Sequence, residues 1–179
     1  MAVKRIEALG LVANQFPDDP LVFTCGSTCR EMAAADRREN HLYVVDSMGL
    51  VSPIVLGIAL GLEGKTDHRV VGIEGDGGML TSLNALTTIG YLQPRNLLLI
   101  VLDNERYDST GGQKTFTTSL DLANIAGSCG LRTWRADDLE TLKQSMEEAV
   151  NVPGPGFIRM KIAPGNTDVP QWLDNATGL

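Results

Sequence analysis

Short apolar runs recur along this chain at the length of strands, and they constrain its fold more than any other feature. Residues 21–25 read LVFTC, 42–45 LYVV, 70–73 VVGI, 97–102 LLLIVL and 157–162 FIRMKI, with a shorter run near 131–134. Nearly unbroken apolar strands belong in a sheet that is covered on both faces. Stretches of helical character lie between them: 27–37, opening on possible caps; 50–62, apolar and rich in small residues; 80–91, opening on Thr81 and Ser82; 120–126; and 138–150. In the last, Leu139, Leu142, Met146 and Val150 form one stripe. Alternating strands and helices predict an α/β fold, a mostly parallel sheet with helices on both faces. Such sheets bind ligands beyond the carboxyl ends of their strands, so functional residues should follow the apolar runs directly.

A length of 179 residues suits a single domain over 1–179. With 43% hydrophobic and 21% charged residues it has material for both a core and a solvated surface. Residues 1–19 predict an N-terminal amphipathic helix rather than a signal peptide, and 164–179 a loop-like tail suited to docking. No apolar run has the length of a membrane span. A net charge of −7 without a basic tract argues against nucleic-acid binding. It leaves room for a phosphate site, because a few amides and one metal ion can hold a diphosphate. Cys25, Cys29 and Cys129 have no zinc-like spacing, and the three residues between the first two are not the redox spacing of two. Reduced structural thiols in a cytoplasmic protein are the expectation.

After the run ending at Ile73 comes Glu74-Gly75-Asp76-Gly77-Gly78. Glycine admits a ligand close to the backbone, a helix start offers free amides, and Asp76 offers a hard oxygen. By itself such a segment is also an ordinary turn. The next run ends at Asp103-Asn104-Glu105-Arg106-Tyr107, which places Asn104 28 positions after Asp76. One helix and one strand separate the two, so both side chains can reach one rim of the sheet. A carboxylate, an amide oxygen and a backbone carbonyl would make half of an octahedral magnesium site that phosphates and water complete.

Gly75-Asp76-Gly77 followed at this distance by Asn104 resembles the signature of the thiamine diphosphate enzymes. The resemblance implies a diphosphate-binding domain that takes thiamine diphosphate and Mg2+, with the ion held by Asp76, Asn104 and the backbone oxygen of Arg106. The family often has two asparagines where this chain has Asp103-Asn104, and the departure falls on the position that is not a ligand. Asp46-Ser47-Met48-Gly49-Leu50 resembles the segment that contacts the aminopyrimidine. Met48 then matches the bulky residue that props the cofactor, and Asp46 supplies a carbonyl where many relatives have glycine. Tyr107-Asp108-Ser109-Thr110-Gly111-Gly112-Gln113 resembles a loop of the sulfopyruvate and phosphonopyruvate decarboxylases, with Asp108 in place of the usual glycine. Gly26-Ser27-Thr28-Cys29-Arg30-Glu31 is similar to their early Arg-Glu segment. The expected cofactor-binding set is therefore Asp46, Ser47, Met48, Gly75, Asp76, Gly77, Gly78, Asn104, Arg106, Tyr107, Asp108 and Ser109.

The resemblance implies decarboxylation of a short anionic 2-oxo acid, sulfopyruvate first and phosphonopyruvate second. The cofactor would supply the hard chemistry and the protein position and electrostatics. The glutamate that activates the cofactor in this family comes from a pyrimidine-binding domain for which the chain has no room. A separate alpha subunit is expected to bring it, in an assembly of two of each or larger, and no catalytic side chain is expected here. Arg30 and Lys114, like Arg106, carry charge that would neutralise a sulfonate or phosphonate, although solvation also accounts for them. Glu74 and Asp108 put acid beside a polyanion. His41 and His68 read as structural or solvated, Trp134 and Trp172 as packing or interface residues. An acetolactate-type carboligase subunit and a noncatalytic cofactor-binding homologue stay open. A nucleotide-binding Rossmann module ranks below them, because no Gly-x-Gly-x-x-Gly turn follows the first strand.

Overall fold

A computed structural model describes residues 2–170. In chain order the elements are α1 (Arg5–Gln15), β1 (Leu21–Phe23), α2 (Ser27–Ala35), β2 (His41–Tyr43), α3 (Val51–Leu62), β3 (Val70–Gly75), α4 (Asp76–Thr81), α5 (Leu83–Leu92) and β4 (Leu97–Asp103). A hairpin of β5 (Arg106–Tyr107) and β6 (Gln113–Lys114) and a 3-10 turn at Phe116–Thr118 follow. The chain goes on through α6 (Leu122–Ser128), β7 (Arg132–Ala136), α7 (Leu139–Asn151) and β8 (Gly156–Lys161).

Six strands form one parallel sheet in the order β2-β1-β3-β4-β8-β7. Side chains alternate between its two faces, and each face has its own helices. Leu21, Phe23, Val71, Ile73, Leu98, Ile100, Ile158 and Met160 point to a core closed by Leu9 and Val12 of α1, Met32 of α2, and Leu142 and Met146 of α7. Val22, Val70, Leu97, Leu99, Val101 and Phe157 point the other way, onto Val51 and Val55 of α3, Leu86 and Ile89 of α5 and Ala126 of α6. Burial on both sides is why the inner strands read as unbroken apolar runs.

β1 leads to β2 on one side, whereas β3 leads to β4 on the other. Their following loops therefore diverge, and a crevice opens between the carboxyl ends of β1 and β3.

Several boundaries differ from the sequence expectation. The helix expected over 80–91 begins at Asp76 and is broken at Ser82, where φ is −125°. Gly77 and Gly78 are poor helix formers, yet burial of Met79 at 0% exposure holds them in the helical turn. The loop expected over 107–113 closes a short hairpin, with the antiparallel pairs Arg106 with Lys114 and Tyr107 with Gln113. In α7 the buried stripe passes through Ala149, and Val150 is exposed. Trp134 packs partly on the core and donates from Nε1 to Glu148 at 2.8 Å. Trp172 lies outside the described residues. Among those residues no helix is long and apolar enough to cross a membrane.

Candidate cofactor and metal site

The end of β3 and the start of α4 build the floor of the site. A Cβ on Gly77 would stand 2.3 Å from Cε1 of Tyr107, and one on Gly78 would stand 2.2 Å from Oε1 of Glu74. Both positions therefore require glycine for close approach. A Cβ on Gly75 would meet nothing within 4 Å, so this turn is open on its outer side. Gly75 is the N-cap of α4 and has no side chain to cap it, and its own amide donates to Glu74 Oε1 at 3.0 Å.

One strand over, β4 ends in two successive side-chain turns. Asp103 Oδ1 accepts from the Glu105 amide at 3.1 Å, and Asn104 Oδ1 accepts from the Arg106 amide at 3.1 Å. Aspartate and asparagine make this turn equally well, which accounts for Asp103 beside Asn104. Glu105 between them has φ 59°. The hairpin bonds use the carbonyls of Glu105 and Tyr107, which accept from Thr115 and Gly112. Arg106 lies between these two and turns its amide to Asn104 instead, as alternate residues of a ladder do.

Beyond β2 and Val44, Asp46 has φ 55°. That left-handed conformation explains why glycine is at home in this position, and aspartate is among the few other residues that tolerate it.

The three segments meet in one cavity of about 400 Å³ at the crevice between β1 and β3. Its lining includes Asp46, Met48, Gly75, Asp76, Gly77, Gly78, Asn104, Arg106, Tyr107, Asp108 and Ser109, together with Arg30. Met48 stands on the rim, 47% exposed. Ser47 and Lys114 do not line the cavity; Lys114 is exposed on β6, opposite Arg106.

The site is acidic and held from behind. Asp76 is 2% exposed, and its Oδ2 accepts from the Thr115 hydroxyl at 2.5 Å and the Thr117 hydroxyl at 3.2 Å. The single Thr117 proton is shared between that oxygen and the nearer Asp103 Oδ1 at 2.9 Å, so one loop steadies both carboxylates. Burial raises the Asp76 carboxyl from its ordinary value, against the Thr115 bond. Burial likewise pushes Glu74 up to about 7. Its Oε1 accepts from the Gly75 amide at 3.0 Å, and Oε2 is buried without a hydrogen-bond partner among the described residues. Cys25 opens on the cavity and is raised by burial and then by Glu74. All three cysteines are free thiols.

Among the described residues no three of His, Cys, Asp and Glu gather as a metal group. A divalent ion here would rely on one carboxylate with an amide and a main-chain oxygen. The donor chemistry fits: both hydroxyl bonds to Asp76 fall on Oδ2, and the Asn104 oxygen has a second lone pair beyond the one used by Arg106. Hard oxygens in that number suit magnesium finished by phosphate and water.

Sequence reasoning missed the residues that support this set. Thr115 and Thr117 are brought to Asp76 by tertiary packing, and their only sequence trace is a Thr-x-Thr after the Gly-Gly turn. Arg5 also lines the cavity, from the N-terminal helix, whose sequence showed only its amphipathic character.

Comparison with known proteins gives the same picture. The family described as thiamine pyrophosphate enzyme, C-terminal TPP binding domain, matches residues 25–160. The sulfopyruvate decarboxylase subunit beta of Methanothermobacter thermautotrophicus is 37% identical over 171 residues, 95% of this chain and 88% of that one. The phosphonopyruvate decarboxylase of Streptomyces viridochromogenes is 38% identical over 166 residues, 92% of this chain but 41% of the relative. Among solved structures, the benzoylformate decarboxylase from Polynucleobacter necessarius superposes with a TM-score of 0.79 at 21% identity. The match covers 90% of this chain and 33% of that one, and it establishes the fold.

Proposed function

Because the chain belongs to the thiamine pyrophosphate (thiamine diphosphate) enzymes through their C-terminal cofactor-binding domain, we propose that it is the diphosphate-binding subunit of a magnesium-dependent 2-oxo acid decarboxylase. The carrying observation is that Asp76 and Asn104, from the ends of neighbouring strands, line one cavity beside the glycine turn. Asp76, Asn104 and the Arg106 carbonyl would hold the ion, and the glycine-lined turn would receive the diphosphate beside it. When bound, thiamine diphosphate supplies the electron sink for loss of carbon dioxide. Met48 at the rim and the Asp46 main chain, which lines the same cavity, would support the ring system.

The substrate is a short 2-oxo acid with a second anionic group, sulfopyruvate before phosphonopyruvate. The similarity to beta subunits over nearly their full length favours the first. Arg30 carries the recognition. It is the half-buried arginine of the cavity whose side chain, among the described residues, donates to a hydroxyl, Ser27 Oγ at 3.3 Å, and is paired with no carboxylate. A guanidinium with no carboxylate partner among the described residues suits a sulfonate or phosphonate. A partner alpha subunit contributes the pyrimidine-binding half, and the assembly works in the cytoplasm, in keeping with the free thiols.

The test combines binding and turnover. Asp76→Ala is expected to abolish Mg2+-dependent binding of thiamine diphosphate in a titration while circular dichroism stays unchanged. The wild-type chain with its partner is expected to release carbon dioxide from sulfopyruvate faster than from phosphonopyruvate. Unchanged cofactor affinity in Asp76→Ala would remove the metal assignment, and a preference for phosphonopyruvate would reverse the substrate order.

A further inference from the structure

Asp108 is a cavity carboxylate whose contacts reach both the first helix and the segment after β8. Its Oδ2 accepts from Asn104 Nδ2 at 2.7 Å and from the Gly165 amide at 2.7 Å, and Arg5 Nη2 stands 3.7 Å away. The Asn166 side chain donates to the Asp108 main-chain oxygen at 3.3 Å. Arg5 donates through Nη1 to Glu31 at 2.7 Å and to Asn166 Oδ1 at 3.1 Å, and the Thr167 amide donates to the same Glu31 oxygen at 2.9 Å. The side chains of Arg5, Glu31 and Asp108 are 6%, 1% and 11% exposed, so water screens this network little.

Asparagine has an oxygen end and a nitrogen end of nearly equal shape, and only its partners decide which faces where. Asp108 takes the nitrogen end of Asn104, and the Arg106 amide meets the oxygen end. We propose that Asp108 is a positioning residue that fixes the Asn104 amide with its oxygen presented to the cation, and that Arg5 of α1 and Gly165 after β8 hold Asp108 in place for that task. The inference rests on the reading of Asn104 as a metal ligand. It gives Asp108 a use: its charge answers Arg5 and the donor end of Asn104 instead of opposing the diphosphate.

The test uses the full chain with any subunit that co-purifies with it, and Mn2+ as a spectroscopic stand-in for Mg2+. Electron paramagnetic resonance reads free against bound Mn2+ in the presence of thiamine diphosphate, and melting temperature is recorded in parallel. Asp108→Ala should raise the half-saturating Mn2+ concentration about tenfold or more, the scale of one lost charge-assisted hydrogen bond. Asp108→Asn keeps an oxygen acceptor and should stay within about threefold of wild type. If the alanine variant does not fold, Asp108→Ser, whose hydroxyl sits one bond short of the lost oxygen, takes its place with the same expectation. Equal Mn2+ affinity in wild type and the alanine or serine variant, with only the melting point lowered, would overturn the proposal and leave the metal site standing. Absence of Mn2+-dependent cofactor binding in wild type would overturn the metal site itself, and this proposal with it.

Discussion

At the scale of single residues, the site keeps a buried acid that a solvated loop would not. Glu74 is 0% exposed, has one oxygen without a hydrogen-bond partner among the described residues, and its carboxyl is pushed up to about 7 by burial. A folded-state value above the ordinary 4.5 means that the folded chain binds the extra proton. The stabilisation this gives is complete below about pH 4.5 and is lost as pH rises to about 7 and beyond. In the metal-free chain, Glu74→Gln should flatten the fall in stability over that window. It should also leave the variant more stable at pH 8, by on the order of 3 kcal/mol at most. Denaturant midpoints collected from pH 4 to 8 check this, and parallel curves for the two proteins would show that Glu74 does not carry the dependence.

At the scale of elements, the hairpin β5-β6 and the turn into α4 are fitted to each other through Tyr107 and Gly77. Gly77→Ala would drive its methyl into the Tyr107 ring and displace the hairpin that carries Arg106 and Asp108. Overpacking of this kind costs about 1–3 kcal/mol, and here the strain falls on the cofactor side. The expected result is a folded variant whose affinity for thiamine diphosphate is lower by about tenfold or more, read by titration beside a thermal melt. A full-affinity variant would mean that Tyr107 swings aside without moving the hairpin. The inner strands were legible in the sequence because β1, β3, β4 and β8 are buried on both faces and leave apolar runs. The edge strand β2 was legible only approximately: it pairs over His41–Tyr43, and Leu42 is 47% exposed. The helical turn at Asp76 was not legible, since its glycines argue for a loop until Met79 is buried beneath them. Asp76 and Asn104 could be paired in advance by their spacing. Thr115, Thr117 and Arg5 could not, because tertiary packing alone brings them to the site.

At the scale of the whole molecule, the cavity lies beside an uncovered apolar rim. Met48 and Leu50 are 47% and 44% exposed, and together with Gly49 they line a second hollow with Pro53, Leu56 and Ala85. Apolar side chains grouped at the mouth of a site mark a surface that another chain covers. The expected outcome is a purified chain that releases negligible carbon dioxide from sulfopyruvate alone and gains turnover when a partner subunit is added. Sedimentation velocity should show the two co-migrating. Full turnover by the isolated chain would remove the partner from the reaction. The ends of this chain bear on the matter too. The family match covers 25–160, whereas Arg5 and Gly165, which both reach Asp108, lie outside it. A protein engineer who trimmed the chain to its recognisable span would strand two acids, Asp108 and Glu31, with no counter-ion between them. Changes in the opening turn of the first helix therefore cannot accumulate as freely as its peripheral address suggests.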